Sequence, residues 1–206
     1  LYKRQVGHLP VDMSACGADA VIISADKVGG PGGAGALLLR RDREVVPLVY
    51  GGGQERQVRS GTLDTVGALG MSLAVEYAVT HLAREADRLA ALRDSTIEGA
   101  MALDRGIIAG GVWKPSDVTH RLPGNARLLV PGCDGDSLLY LWDAAGVEVS
   151  TGSACQAGVP QPSHVLLAMG LAERAARGAL RVTFGHTSVA SDVDAFLAAL
   201  PAAVDR

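Results

Sequence analysis

The chain has 206 residues and a formal net charge of −3; 48% of the residues are apolar and only 4% aromatic. That length holds one large domain or two small ones with a core of Leu, Val, Ile and Ala, and the charge gives no reason to expect a nucleic-acid partner, which shows as a clustered basic face. No apolar run approaches the ~18 residues that suggest a membrane span, and the opening Leu1-Tyr2-Lys3-Arg4-Gln5 lacks the apolar stretch of a signal peptide. The three cysteines, Cys16, Cys133 and Cys155, are widely separated. Their odd number and spacing argue against a disulfide framework or a zinc ribbon, and a reducing cytoplasm fits best. The chain begins without Met, so it is expected to be incomplete.

Ala20-Val21-Ile22-Ile23 reads as a short buried strand. It runs into Ser24-Ala25-Asp26-Lys27, the turn-rich Gly29-Gly30-Pro31-Gly32-Gly33 and a second apolar run, Ala36 to Leu39. A loop follows from Gly51-Gly52-Gly53-Gln54-Glu55-Arg56 to Arg59-Ser60-Gly61-Thr62. From about Thr65 to Arg93 the composition is helical, rich in Ala, Leu, Glu and Arg and free of Pro. One helix of roughly 28 residues would span about 40 Å, enough to bridge two domains, and a boundary is placed near residue 84. The remainder reads as a smaller α/β unit. Strands are expected at Asn125 to Val130, Val147 to Val149 and Arg181 to Phe184. Helices are expected at Asp136 to Ala145, closed by Gly146, and at Pro162 to Met169. A last helix opens on a Ser191/Asp194 capping box, with Val193, Phe196, Leu197 and Leu200 on one face.

Lys27 follows a buried strand, at the end where open α/β sheets bind ligands. A lysine amine there can form a Schiff base with a carbonyl cofactor, although from position alone an exposed loop lysine is the commoner case. Cys155 lies in Ser150-Thr151-Gly152-Ser153-Ala154-Cys155-Gln156-Ala157-Gly158, a loop of small residues expected to be mobile and to leave the thiol accessible. An accessible thiol is a candidate nucleophile and a buried one is inert packing; residue type alone leaves both open. Cys16 reads as packing and Cys133 as a turn residue. Arg181 suits a bidentate grip on a carboxylate or an ordinary strand position. Neither glycine loop is a P-loop or a dinucleotide fingerprint. His164 and His186 read as surface residues, and no His, Asp or Glu spacing suggests a metal site.

Singly these signals are weak, but their order is specific. Ser24-Ala25-Asp26-Lys27 before Gly-Gly-Pro, then Gly51 to Arg56, Arg59-Ser60-Gly61-Thr62, Ser150 to Cys155, Pro162-Ser163-His164-Val165-Leu166 and Arg181 together resemble the class I cysteine desulfurases, from about Val6 to the C-terminus. The resemblance implies the fold type I of pyridoxal-phosphate-dependent transferases: residues 1–83 as the C-terminal part of the cofactor-binding large domain, and residues 84–206 as a small α/β domain carrying the cysteine loop. It implies pyridoxal 5′-phosphate as cofactor, with Lys27 as the cofactor lysine and Ser24 on the phosphate. Thr62 would reach the phosphate in a partner subunit's site, so a homodimer follows. Arg181 would clamp the substrate α-carboxylate. Cys155 would take sulfur from L-cysteine as a persulfide and pass it to an acceptor such as an iron–sulfur scaffold or a thiolation protein, leaving L-alanine. A selenocysteine lyase is the near alternative.

The chain departs from the family pattern in two places. Asp26 stands where the family has a histidine on the phosphate, and a carboxylate there would repel that group. Leu1 and Arg4 stand where it has an Asp on the ring nitrogen and a Gln near the ring hydroxyl. A truncated or degenerate homologue, serving as a non-catalytic dimerisation or acceptor-binding partner, is therefore the competing expectation.

Overall fold

A computed structural model describes residues 5–152 and 161–205. The chain divides into two compact units, Leu1–Ala83 and Arg84–Arg206.

In the first unit β1 (Ala20–Ser24) pairs antiparallel with β2 (Gly35–Leu39), placing Val21 opposite Leu38 and Ile22 opposite Leu37. The expectation of a buried strand holds only in part. Val21 is buried, whereas Ile22 and Leu37 are each 46% exposed. The run is apolar on both faces, and this unit covers only one of them. A 3₁₀ turn, Ala25–Lys27, follows β1 directly. Its anchor is the fully buried Ala25, whose carbonyl accepts from the N–H groups of Val28 (3.0 Å) and Gly30 (2.8 Å). Gly30 packs closely here, since a Cβ there would stand 3.1 Å from Ala25 and from the Ala74 methyl and would push them apart by a few tenths of an ångström. Past the hairpin, Val46, Leu48 and Tyr50 are 82%, 92% and 77% exposed.

Helix α1 (Thr65–Thr80) is capped by Asp64, whose carboxylate accepts from the Gly67 N–H at 2.9 Å. The single long helix expected from Thr65 to Arg93 is instead two, α1 and α2 (Leu82–Met101). His81 interrupts them. Its ring lies on Tyr77, with centroids 4.1 Å apart, and its Nδ1 is 2.8 Å from the Tyr77 carbonyl.

The second unit contains most of α2 and an antiparallel sheet of β3 (Ile108–Ala109), β4 (Asn125–Leu129) and β5 (Ala179–Thr183), in the order β3-β4-β5. Between β4 and β5 lie α3 (Gly135–Ala144), α4 (His164–Ala168) and α5 (Glu173–Arg177), and α6 (Ala190–Val204) ends the unit. Side chains alternate across the sheet. Ala126 and Leu128 of β4, with Leu180 and Val182 of β5, join Leu89 and Ile97 of α2, Trp142 of α3, and Phe196 and Leu200 of α6 in the main core. Trp142 is fully buried, stacks on Phe196 at 5.2 Å, and donates its indole N–H to the Phe196 carbonyl. On the other face Leu129 and Ala179 pack with Leu166 of α4 and Ala176 of α5.

Two local expectations change here. Val147–Val149 forms no strand; only Ser150 bridges to Arg181. The cap of α6 lies two residues earlier than expected, with the Val189 N–H donating to Asp192 at 3.0 Å, because Asp192 and Asp194 each offer a carboxylate at the required spacing. The predicted face of α6 is as expected: Val193, Phe196 and Leu200 are buried and Leu197 packs against them.

Candidate active site

In the first unit the end of β1 gathers three predicted or flagged residues. The Ser24 hydroxyl donates to one oxygen of the Asp26 carboxylate, and the Lys27 ammonium donates to the other. The 3₁₀ turn makes this contact: three consecutive residues fold tightly enough for residues 24, 26 and 27 to converge. Lys27 is about one third exposed and so is accessible from solvent. Thr62 is exposed on a separate loop. That loop is held by the Gly61 N–H donating to the Gln54 side chain (2.9 Å) and by the Ser60 N–H donating to the Val49 carbonyl (3.2 Å). Glu55, Arg56 and Gln57 in it have φ of 50°, 56° and 65°, a left-handed stretch costly for residues with a Cβ.

Arg181 belongs to the second unit, on β5. One guanidinium nitrogen donates to the Ser150 hydroxyl at 3.0 Å, and the backbones of the two residues exchange hydrogen bonds of 2.6 and 3.0 Å. The residue across β4–β5 from Arg181 is Arg127. Burial first, then the like charges of Arg181 and Arg121, push the Arg127 guanidinium below its usual range. Arg121 is spent on structure, donating to the carbonyls of Gly110, Val112 and Asn125. Arg127 was not legible as a site residue. The alternation of residues 125–130 puts its side chain opposite the core, but only the strand register puts it beside Arg181.

Cys155, Leu1 and Arg4 lie outside the described residues. The other thiols depart from their sequence reading: Cys16, expected as packing, is half-buried in a turn and donates to the Met13 carbonyl at 3.5 Å, whereas Cys133, expected as a turn residue, packs against the core, where burial raises its thiol above the usual range. His164 and His186 are exposed.

The carboxyl end of β1 thus presents a lysine amine and a hydroxyl side by side, both donating to Asp26. The sequence model of the class-V aminotransferases matches residues 4–196, and the chain belongs to that family. Among curated proteins it is 53% identical over 203 residues to the IscS-like cysteine desulfurase of Mycobacterium tuberculosis, covering 98% of this chain and 51% of the relative. It is 36% identical to cysteine desulfurase IscS 1 of Archaeoglobus fulgidus, with the same two coverages. Among solved structures a NifS-like protein from Rickettsia africae superposes with a TM-score of 0.83 at 27% identity, over all of this chain and 52% of that one. The α/β fold is thus that of the pyridoxal-phosphate-dependent NifS-like enzymes. The chain spans about half the length of these relatives.

The family's cofactor is pyridoxal 5′-phosphate, and the donors present fit it. The Lys27 amine suits its carbonyl and the Ser24 hydroxyl suits its phosphate. Asp26 is the odd member, a carboxylate that already accepts from both donors.

Proposed function

We propose that the protein is a cysteine desulfurase, converting L-cysteine to L-alanine and leaving the sulfur as a persulfide on Cys155. The observation that carries this reading is the Ser24–Asp26–Lys27 cluster at the end of β1 in a chain 53% identical to a cysteine desulfurase. In this reading residues 1–83 belong to the cofactor-binding domain and residues 84–206 to the small domain with the cysteine loop. Lys27, Ser24 and the Thr62 of a partner subunit hold the cofactor. When bound, that cofactor supplies an electron sink for breaking the Cα–H bond.

The chain's own residues supply the rest. Arg181 holds the substrate carboxylate in its fork, steadied by Ser150. Lys27, as a free amine, takes the proton from Cα and later returns one, as a base and acid. Cys155 attacks the substrate sulfur as a thiolate. The new S–S bond forms as the Cβ–S bond breaks, and the carbon fragment takes up protons and leaves as alanine. The persulfide is a reversible sulfur state, suited to hand-over to an acceptor such as an iron–sulfur scaffold protein.

A homodimer in the cytoplasm completes the reading. The exposed Val46, Leu48 and Tyr50 favour it, since their segment is tied to the Thr62 loop through the Ser60–Val49 hydrogen bond. Nothing in the relatives favours the non-catalytic alternative.

The test is to incubate the full-length protein with cofactor and L-cysteine. Alanine should appear, Cys155 should gain the mass of one sulfur, and Lys27→Ala should abolish both together with the Schiff-base absorbance. An unchanged spectrum in Lys27→Ala would refute the reading.

A further inference from the structure

The face of β4–β5 turned away from the main core carries three cross-strand pairs in succession: Leu129 with Ala179, Arg127 with Arg181, and Asn125 with Thr183. The first is covered by Leu166 and Ala176. The second sets two guanidinium groups directly opposite each other, an arrangement that like charges make unfavourable.

Arg127 has no compensation among the described residues. Its NH1 is buried without a hydrogen-bond partner, and the charged groups acting on it are Arg181 and Arg121, both cations. Residues 1–4, 153–160 and 206 contain no Asp or Glu, so they bring no acidic side chain. The position is nevertheless built for a long side chain. Gly110 lies beneath it, and a Cβ there would stand 2.8 Å from Arg127 Cγ. A half-buried cation with a buried, unused N–H beside a second cation calls for an anion, and two guanidinium forks with the Ser150 hydroxyl at hand suit a carboxylate.

We infer that Arg127 is the second guanidinium of the substrate-carboxylate site, gripping with Arg181 the α-carboxylate of the amino-acid substrate and so determining affinity for it. This rests on the reading of Arg181 as the carboxylate clamp.

The test uses the full-length protein with Arg127→Gln and Arg127→Lys, and propionate as a carboxylate probe that does not depend on turnover. Arg127→Gln should raise KM for L-cysteine and weaken propionate binding, each about tenfold, as loss of a charge-assisted bond implies. The turnover number should stay within about twofold, because uniform binding is what is lost. Arg127→Lys should recover part of the affinity. Without anion, Arg127→Gln should melt at or above the wild-type temperature, since a repulsion is relieved; propionate should raise the wild-type melting temperature and that of Arg127→Gln much less. A lower melting temperature without anion, or unchanged propionate binding, overturns the inference. If no alanine forms from cysteine but propionate binding still depends on Arg127, the desulfurase reading fails and the anion site stands.

Discussion

Asp94→Ala tests the most deeply buried charge of the second unit. Arg93 is fully buried in α2, donating through Nε to Asp94 at 2.7 Å and through NH1 to the Asp117 carbonyl at 2.7 Å. Asp94 also accepts from the Trp113 indole (2.8 Å) and the Ser116 N–H (2.7 Å). Removing the carboxylate strands a guanidinium in the core, and breaking such a pair typically costs about 3–5 kcal/mol. The double variant Arg93→Met/Asp94→Leu should lose less than Asp94→Ala, because no charge is left unpaired. Chemical denaturation followed by circular dichroism measures both. The pH dependence gives an independent check. Burial pushes the Asp94 carboxyl up, but the bonds from Arg93, Ser116 and Trp113 outweigh it and hold the group below its ordinary range. A depressed carboxyl stabilises the fold above the unfolded value of about 3.9, and that stability disappears as pH falls through the lower folded value. Asp94→Asn should lack this acid-side loss. A cost below about 1 kcal/mol for Asp94→Ala, or a double variant as damaged as the single one, would refute the reasoning.

Three further outcomes are expected. Gly178→Ala should cost about 2–3 kcal/mol in a denaturation midpoint, because its Cβ would sit 2.3 Å from the Val130 carbonyl; an unchanged midpoint would contradict that packing. Asp26→His should tighten pyridoxal-phosphate binding by roughly tenfold in a fluorescence titration, as removal of a charge beside a phosphate implies, and weaker binding would contradict the competition assigned to Asp26. At neutral pH iodoacetamide should modify Cys133 slowly and Cys155 fast, read by peptide mass spectrometry. The raised thiol of Cys133 leaves little thiolate at that pH, and equal rates would contradict the assignment.

The parts legible in the sequence were those set by local pattern. Strands were legible near β4 and β5, a 3.6-residue period placed the buried face of α6, and the apolar run before Ser24 placed Lys27 at a strand end, whereas the period-2 pattern of Val147–Val149 formed no strand. The helix break at His81 was not legible, because the composition of residues 65–101 is helical throughout and the interruption coincides with a contact between the Tyr77 and His81 rings. Three consecutive left-handed residues at 55–57 follow no turn signature, since none is Gly or Asn. Arg127 and Arg181 are 54 positions apart by number, and only the strand register makes them neighbours.

The Asp26 contacts have a consequence for how the β1 site takes a ligand. An amine and a hydroxyl already committed to a carboxylate form a charge-balanced cluster rather than a positive one. In the proposed reading, a phosphate ester would therefore exchange with a resident anion instead of filling an open cationic socket. Affinity would then be set by the difference between two anion partnerships, so a substitution that weakens the resident one would strengthen the visitor without touching it.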